Sequence, residues 1–230
     1  MKRFWKVAEA VAEQVGWGVR LDGKPLRTPG RALLVVPTEA LGDAIAREWA
    51  TAPATVAPRA MPLTGLAYAA IDRIDPDRAA FATSLSKYAQ GDLACYRAEG
   101  PETLIAWQQE SWDALLAWAR RRFDVDFVTT TGIVHVAQPR ATVERLAHAV
   151  AALDPFHLAG LSPLVTIGGS LIAALAVLEG ALNAEQGWHA VSIDERWQIE
   201  KWGADVEAEA AVASRRRDFL AAARFLELLG

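Results

Sequence analysis

Between Ile193 and Glu209 the chain reads I-D-E-R-W-Q-I-E-K-W-G-A-D-V-E-A-E, a run that sets carboxylates among indoles. Drawn as one helix at about 100° per residue, it places Trp188, Val191, Ile199, Trp202 and Val206 on one side, with Glu195 in the middle. A carboxylate in an apolar stripe is costly unless it is paired, neutralised or waiting for another molecule. Asp194, Gln198 and Asp205 form an adjoining polar strip. Three chemistries fit this pattern. Glu195 can meet an Arg from elsewhere in the fold, with the Arg120–Arg122 and Arg215–Arg217 runs as candidates. The indoles and acids can dock a partner. Glu195 can also serve as the perturbed acid of a carboxylate-dependent hydrolase.

Other reactive sets are missing. Gly18 to Pro25 nearly spells a phosphate-binding loop, but Pro25 stands where a magnesium-binding hydroxyl belongs, and its flanks alternate like hairpin strands. His135, His148, His157 and His189 lack metal-ligand spacing, and Cys95 is the one thiol. Gly168-Gly169-Ser170 does not match a nucleophile elbow, so Ser170 is read as a packing residue. Asp124-x-Asp126 is too short for a calcium loop. No catalytic set, metal or cofactor is expected.

The balance of the 230 residues is globular, with 52% hydrophobic and 23% charged side chains. A net charge of −4 offers no basic footprint for nucleic acid. A lone cysteine forbids an intrachain disulfide and suits a reducing compartment. No apolar signal core precedes Glu9. Leu158 to Leu178 is uncharged, but Pro163 divides it, and the 15 residues from Leu164 make only about 22 Å of helix. That segment is expected to be a buried helix rather than a membrane anchor; a membrane-associated structural factor is the remaining reading.

The elements that must position these residues read as an α+β chain, a small strand-rich α/β domain followed by a larger all-helical one. Trp17, Val19 and Leu21 alternate into the Asp22-Gly23 turn, and Leu33 to Val36 makes a further strand. Thr38 can cap a helix whose apolar face is Leu41, Ala44, Ile45 and Trp49. Thr51 to Pro62 is an extended crossing, which divides the domains at 1–62 and 63–230. Beyond it lie helices through Leu63 to Ile74, Phe81 to Tyr88, Pro101 to Phe123 and Ala141 to Leu153, then the uncharged segment, the Trp-rich acidic segment and a final helix through Phe219 and Leu226. Thr129 to Val136 is a short β-like interlude. Trp107, Trp112 and Trp118 share one helix but not one face, so at least one of them points outward.

The string W-Q-x-E-x-W-G-x-D-x-E at Trp197 to Glu207 resembles the signature of the assembly chaperones of F-type ATP synthase, which hold the unassembled alpha subunit of the F(1) sector. Six further strings resemble the same family in its own order: R-F-W-K at Arg3, L-D-G-K-P-L-R-T-P at Leu21, A-I-A-R-E-W at Ala44, M-P-L-T-G-L-A-Y-A-A-I-D at Met61, G-D-L-A-C-Y-R-A at Gly91 and G-G-S-L-I-A-A-L-A at Gly168. The resemblance implies a non-enzymatic chaperone that shields the alpha subunit until the beta subunit replaces it. It implies partner-binding roles for Trp202, Asp205 and Glu207, with Asp194, Glu195 and Gln198 beside them. It also implies no nucleic acid, no stable membrane insertion and a monomer when free. Eukaryotic members of that family work in mitochondria; without a transit segment ahead of R-F-W-K, a bacterial cytoplasm is expected here.

Overall fold

A computed structural model describes residues 2–203 and 205–230. They form two compact units, one of residues 2–78 with Asp154–Gly160 and Arg224–Gly230, the other of Ala79–Leu153 with Leu161–Ala223. Strands open the chain and helices dominate the rest.

In the first unit, β2 (Trp17–Leu21) is the centre of an antiparallel sheet with β1 (Ala8–Ala12), β3 (Lys24–Pro25) and β4 (Val35–Val36). β1 pairs from Ala8↔Leu21 to Ala12↔Trp17. Its A-E-A-V-A sequence carries little strand signal, and the alternation argument passes over it. Asp22 and Gly23 hold the positive φ values, 49° and 75°, of a tight hairpin turn. The Asp22 carboxylate accepts from the Val7 and Lys6 N–H groups, which holds it below the usual carboxylate range.

Helix α1 (Glu39–Ala50) starts where expected, with the Leu41 N–H donating to Thr38 Oγ1 at 3.2 Å. Leu41, Ile45, Ala46 and Trp49 are buried. A Cβ at Gly42 would lie 3.1 Å from the Trp17 Cβ and 3.3 Å from the Ala10 Cβ, so the bare backbone lets α1 rest on β1 and β2. Helix α2 (Pro62–Ala69) begins on Glu48, whose carboxylate accepts from Leu63 N–H, Thr64 N–H and Thr64 Oγ1 at 2.7–2.9 Å. Burial raises the Glu48 carboxyl against these bonds. The tie from α1 to α2 is why the compact division does not coincide with the boundary expected after residue 62.

The remaining helices are α3 (Arg78–Ser86), α4 (Glu102–Gln108), α5 (Ala114–Phe123), α6 (Arg140–Ala151), α7 (Pro155–Gly168), α8 (Leu171–Leu178), α9 (Ala184–Val191), α10 (Ile193–Trp202) and α11 (Val206–Glu227). A π-helical turn, Gln109–Asp113, joins α4 to α5. The β-like interlude reduces to β6 (Thr130–Thr131), parallel to β5 (Tyr96–Arg97).

The uncharged segment is two helices, but Pro163 is not what divides them, and no single helix runs from Leu164 to Leu178. Pro163 lies inside α7, and the break comes at Gly169, at φ 68°, followed by Ser170 as the cap of α8. Ser170 therefore does more than pack. Its Oγ accepts from Ala173 N–H and donates to Asp92 Oδ1 at 2.7 Å. No helix of the described residues is long and apolar enough to cross a membrane.

In the second unit, Trp112 is buried and its Nε1 donates to the Ala190 carbonyl at 2.7 Å. A Cβ at Gly187 would sit 2.4 Å from a Val177 methyl and 3.4 Å from the Phe219 ring. Gly187 thus brings α8, α9 and α11 together, with Trp188 edge-on to Phe219 at 5.7 Å.

Candidate functional site

The acidic, indole-bearing segment is not a single helix. Ser192 Oγ donates back to the Trp188 carbonyl, and the chain turns between α9 and α10. Gly203, at φ 75°, ends α10. Asp205 then opens α11, its carboxylate accepting from Glu207 N–H at 3.3 Å and its carbonyl from Glu209 N–H at 2.9 Å. Ala204, inside the span first drawn as one helix, lies outside the described residues. The two turns destroy the shared apolar stripe: Trp188 is buried, whereas Trp202 is 74% exposed.

The six expected site residues separate into two groups. Asp194 accepts from Gln108 Nε2 at 2.7 Å, and Gln108 Oε1 in turn accepts from Ala98 N–H. Glu195 does not sit in an apolar stripe; it meets Arg215 at 2.6 Å, one of the two arginine runs anticipated for it. Both acids are engaged within the fold. Gln198, Trp202, Asp205 and Glu207 are exposed at the end of α10 and the start of α11. Trp202 rests edge-on against Trp197 at 5.4 Å, and the buried Trp197 donates from Nε1 to Thr103 Oγ1. That support fixes the Trp202 ring while leaving its outer surface bare.

Val206, 79% exposed, adds a second apolar side chain to this corner. From Glu200 to Glu209 four carboxylates stand against the single ammonium of Lys201. Lys201 pairs with Glu200 at 3.1 Å. The Glu207 and Glu209 carboxylates have no partner among the described residues. Both lie in the first turn of α11, where the helix dipole favours negative charge. The corner is chemically an acidic apolar knob, able to pair with cations and bury indole surface.

The other strings behind the family resemblance are consumed by the fold. Trp5 Nε1 donates to the Trp49 carbonyl, and Trp49 Nε1 to Thr64 Oγ1. Asp72 accepts from Thr28 Oγ1 at 2.7 Å and from Gly30 N–H at 2.8 Å. Asp92, fully buried, accepts from Ser170 Oγ, Ala94 N–H and Ile172 N–H, tying G-D-L-A to G-G-S-L-I. Burial pushes its carboxyl up to about 6, against the lowering effect of those bonds. Burial also pushes the Cys95 thiol up to about 12, and an un-ionised buried thiol is a poor nucleophile. Among the described residues no three His, Cys, Asp or Glu side chains cluster as a metal site.

A second feature escaped the sequence reading. A groove of about 630 Å³ runs beside α4, α5, α9 and α10, with Trp107 and Trp118 as half-buried walls and Leu115, Leu182 and Ile193 along it. Trp107, Ser111, Ala114 and Trp118 recur at helical spacing, a signal that asking whether all three indoles shared a face did not test.

Residues 2–120 match the model of the family described as ATP12 chaperone protein. The mitochondrial protein atp12 of Schizosaccharomyces pombe is 27% identical over 216 residues, covering 88% of this chain and 74% of the relative. A crystal structure of Atp12 from Paracoccus denitrificans is 43% identical, with a TM-score of 0.94 over 100% of this chain and 98% of that one. A point-mutant form of the Paracoccus protein gives 42% identity and the same TM-score and coverage. This chain belongs to the ATP12 chaperone family.

Proposed function

We propose that this chain, a chaperone of ATP synthase assembly by its family, captures the free alpha subunit of the F(1) sector without catalysis and releases it when the beta subunit competes for the same surface. The observation that carries the reading is the contrast among the resemblance strings. Six are tied into the fold, while Trp202, Asp205 and Glu207 end in an exposed corner with free carboxylates. An isolated subunit of an obligate complex presents a large apolar interface. An indole supported from below, ringed by acids, can cover part of it, and the acids select a cationic register over like-charged partners. The hydrolase reading loses its premise, because Glu195 is paired with Arg215 and does not line the groove. The buried lone Cys95 and the bacterial relative support work in a bacterial cytoplasm.

The test is a pull-down against separately expressed alpha and beta subunits. The parent protein captures alpha and not beta. Asp205→Lys and Glu207→Lys lose capture while melting within a few degrees of the parent, because inside the fold the Asp205 carboxylate only accepts from the Glu207 N–H, and the Glu207 carboxylate has no partner among the described residues beyond the dipole of the first turn of α11. Equal capture by the parent and both variants would overturn the reading.

A further inference from the structure

We infer that the groove walled by Trp107 and Trp118 is a second client site, which takes an apolar segment bearing carboxylates. The inference rests on the chaperone reading and adds a sign to it. None of the polar side chains lining the groove is buried, so no directional group sits in its floor to orient a small ligand. Aliphatic and indole side chains, Leu115, Leu182, Ile193, Trp107 and Trp118, share the lining with exposed polar and charged ones, a mixture suited to anchoring a peptide by its apolar side chains and pairing its charges.

The rim carries Arg121 and Arg196 against the single acid Glu110, with His189 beside them. Arg120 has Asp126 at 3.9 Å and Arg122 has Glu179 at 2.5 Å, whereas Arg121 between them has no partner among the described residues. Arg196 has no carboxylate partner among the described residues either. Its guanidinium lies over the Trp107 ring at 5.7 Å and donates to the His189 carbonyl at 3.4 Å. Two guanidiniums without carboxylate partners among the described residues, beside half-buried indoles, complement an acidic apolar segment.

The charge sign also separates this site from the Trp202 corner. One is cationic and the other anionic, yet α10 contributes to both, with Ile193 and Arg196 in the groove and Trp202 at its end. A client engaging both must offer an acidic segment and a cationic one at a fixed spacing, and that requirement sets register. The Trp202 corner of a second copy has the chemistry to fit the groove. Such a head-to-tail contact is heterologous, however, and repeats into open chains unless it closes a ring. A client segment is the occupant we assign.

The experiment uses the full chain with p-benzoylphenylalanine placed at Ala114, an exposed groove residue, and separately at Val206, photolysed with purified alpha subunit. Adducts at both positions are expected, and the peptide joined to position 114 should be apolar and contain Asp or Glu. Arg121→Glu should weaken alpha capture about tenfold with an unchanged melting temperature, and Arg121→Lys should retain most of it. An adduct at 206 alone, a Lys- or Arg-rich peptide at 114, adducts between copies of this chain, or undiminished capture by Arg121→Glu would each overturn the groove assignment and leave the chaperone reading standing. No adduct at either position, with no capture by the parent, would overturn both.

Discussion

Trp202→Ala is the most discriminating perturbation of the proposed capture surface. The indole is 74% exposed, so a client that covers it removes most of the ~250 Å² that a large aromatic can bury. At about 25 cal/mol per Å², the roughly 185 Å² gives ~4–5 kcal/mol of gross transfer free energy. The alanine retains a little of that area, and immobilising side chains at the contact costs ~0.5–1.5 kcal/mol each, which leaves a net loss of about 2–3 kcal/mol. The dissociation constant for the alpha subunit should then rise roughly 30- to 150-fold. Within the free protein the change removes only the edge contact with Trp197, worth ~0.5–1.5 kcal/mol. For a chain of this size that lowers the melting temperature by about 6 °C at most. Titration calorimetry with purified alpha subunit, paired with thermal unfolding, measures both quantities. Trp202→Phe should fall between parent and alanine. A dissociation constant within threefold of the parent would refute the argument, because an indole this exposed cannot lie in the contact and cost nothing to remove. A fall in melting temperature beyond 10 °C would refute the premise that Trp202 is not needed for the fold.

Trp49→Arg replaces a buried indole that packs at a tilt against Trp5 and donates to Thr64, leaving an unpaired guanidinium in the core. The expected loss is at least ~4 kcal/mol, seen as insolubility or a melting temperature lower by 10 °C or more, and an unchanged melting temperature would contradict it. Glu195→Gln breaks a half-exposed ion pair and should cost no more than ~1 kcal/mol with alpha capture intact. A loss of capture at constant stability would return Glu195 to the contact. Asp92 is the pH-sensitive case. Its folded carboxyl stands at about 6, above the ordinary value of 3.8, so the native state holds the proton more tightly than the unfolded chain. Its contribution is fully present below pH 3.8 and is lost as pH rises through about 6. The stability of the parent relative to Asp92→Asn should therefore fall by about 2 kcal/mol between pH 4 and pH 7 in denaturant unfolding. A difference independent of pH would refute it.

Local rules made much of the fold legible. The Asp22-Gly23 turn, the Thr38 cap and the Leu41–Ile45–Trp49 face each depend on neighbours within a few residues, and each stands as read. The failures were of another kind. A periodicity drawn through Ser192 and Gly203 assumed one axis, but a hydroxyl that bonds back to the preceding turn and a glycine at φ 75° each redirect the chain. Glu195 consequently left the stripe that had made it look catalytic. Its partner lay 20 residues on, across a turn whose angle the helical drawing cannot supply. Asp92 was passed over because its role exists only once Ser170 and Ile172, 78 and 80 residues away, arrive beside it. The same long-range closure explains why family strings and functional residues must be told apart by structure. Glu48 with Thr64, Thr28 with Asp72, and Asp92 with Ser170 satisfy one another, so a substitution in any of them acts through stability. At Trp202, Asp205 and Glu207 the fold supplies support from beneath and nothing above. An indole supported at one edge by Trp197, with exposed carboxylates beside it, is the surface the proposed client contact would cover, so substitutions at this corner should act on capture and leave stability nearly unchanged.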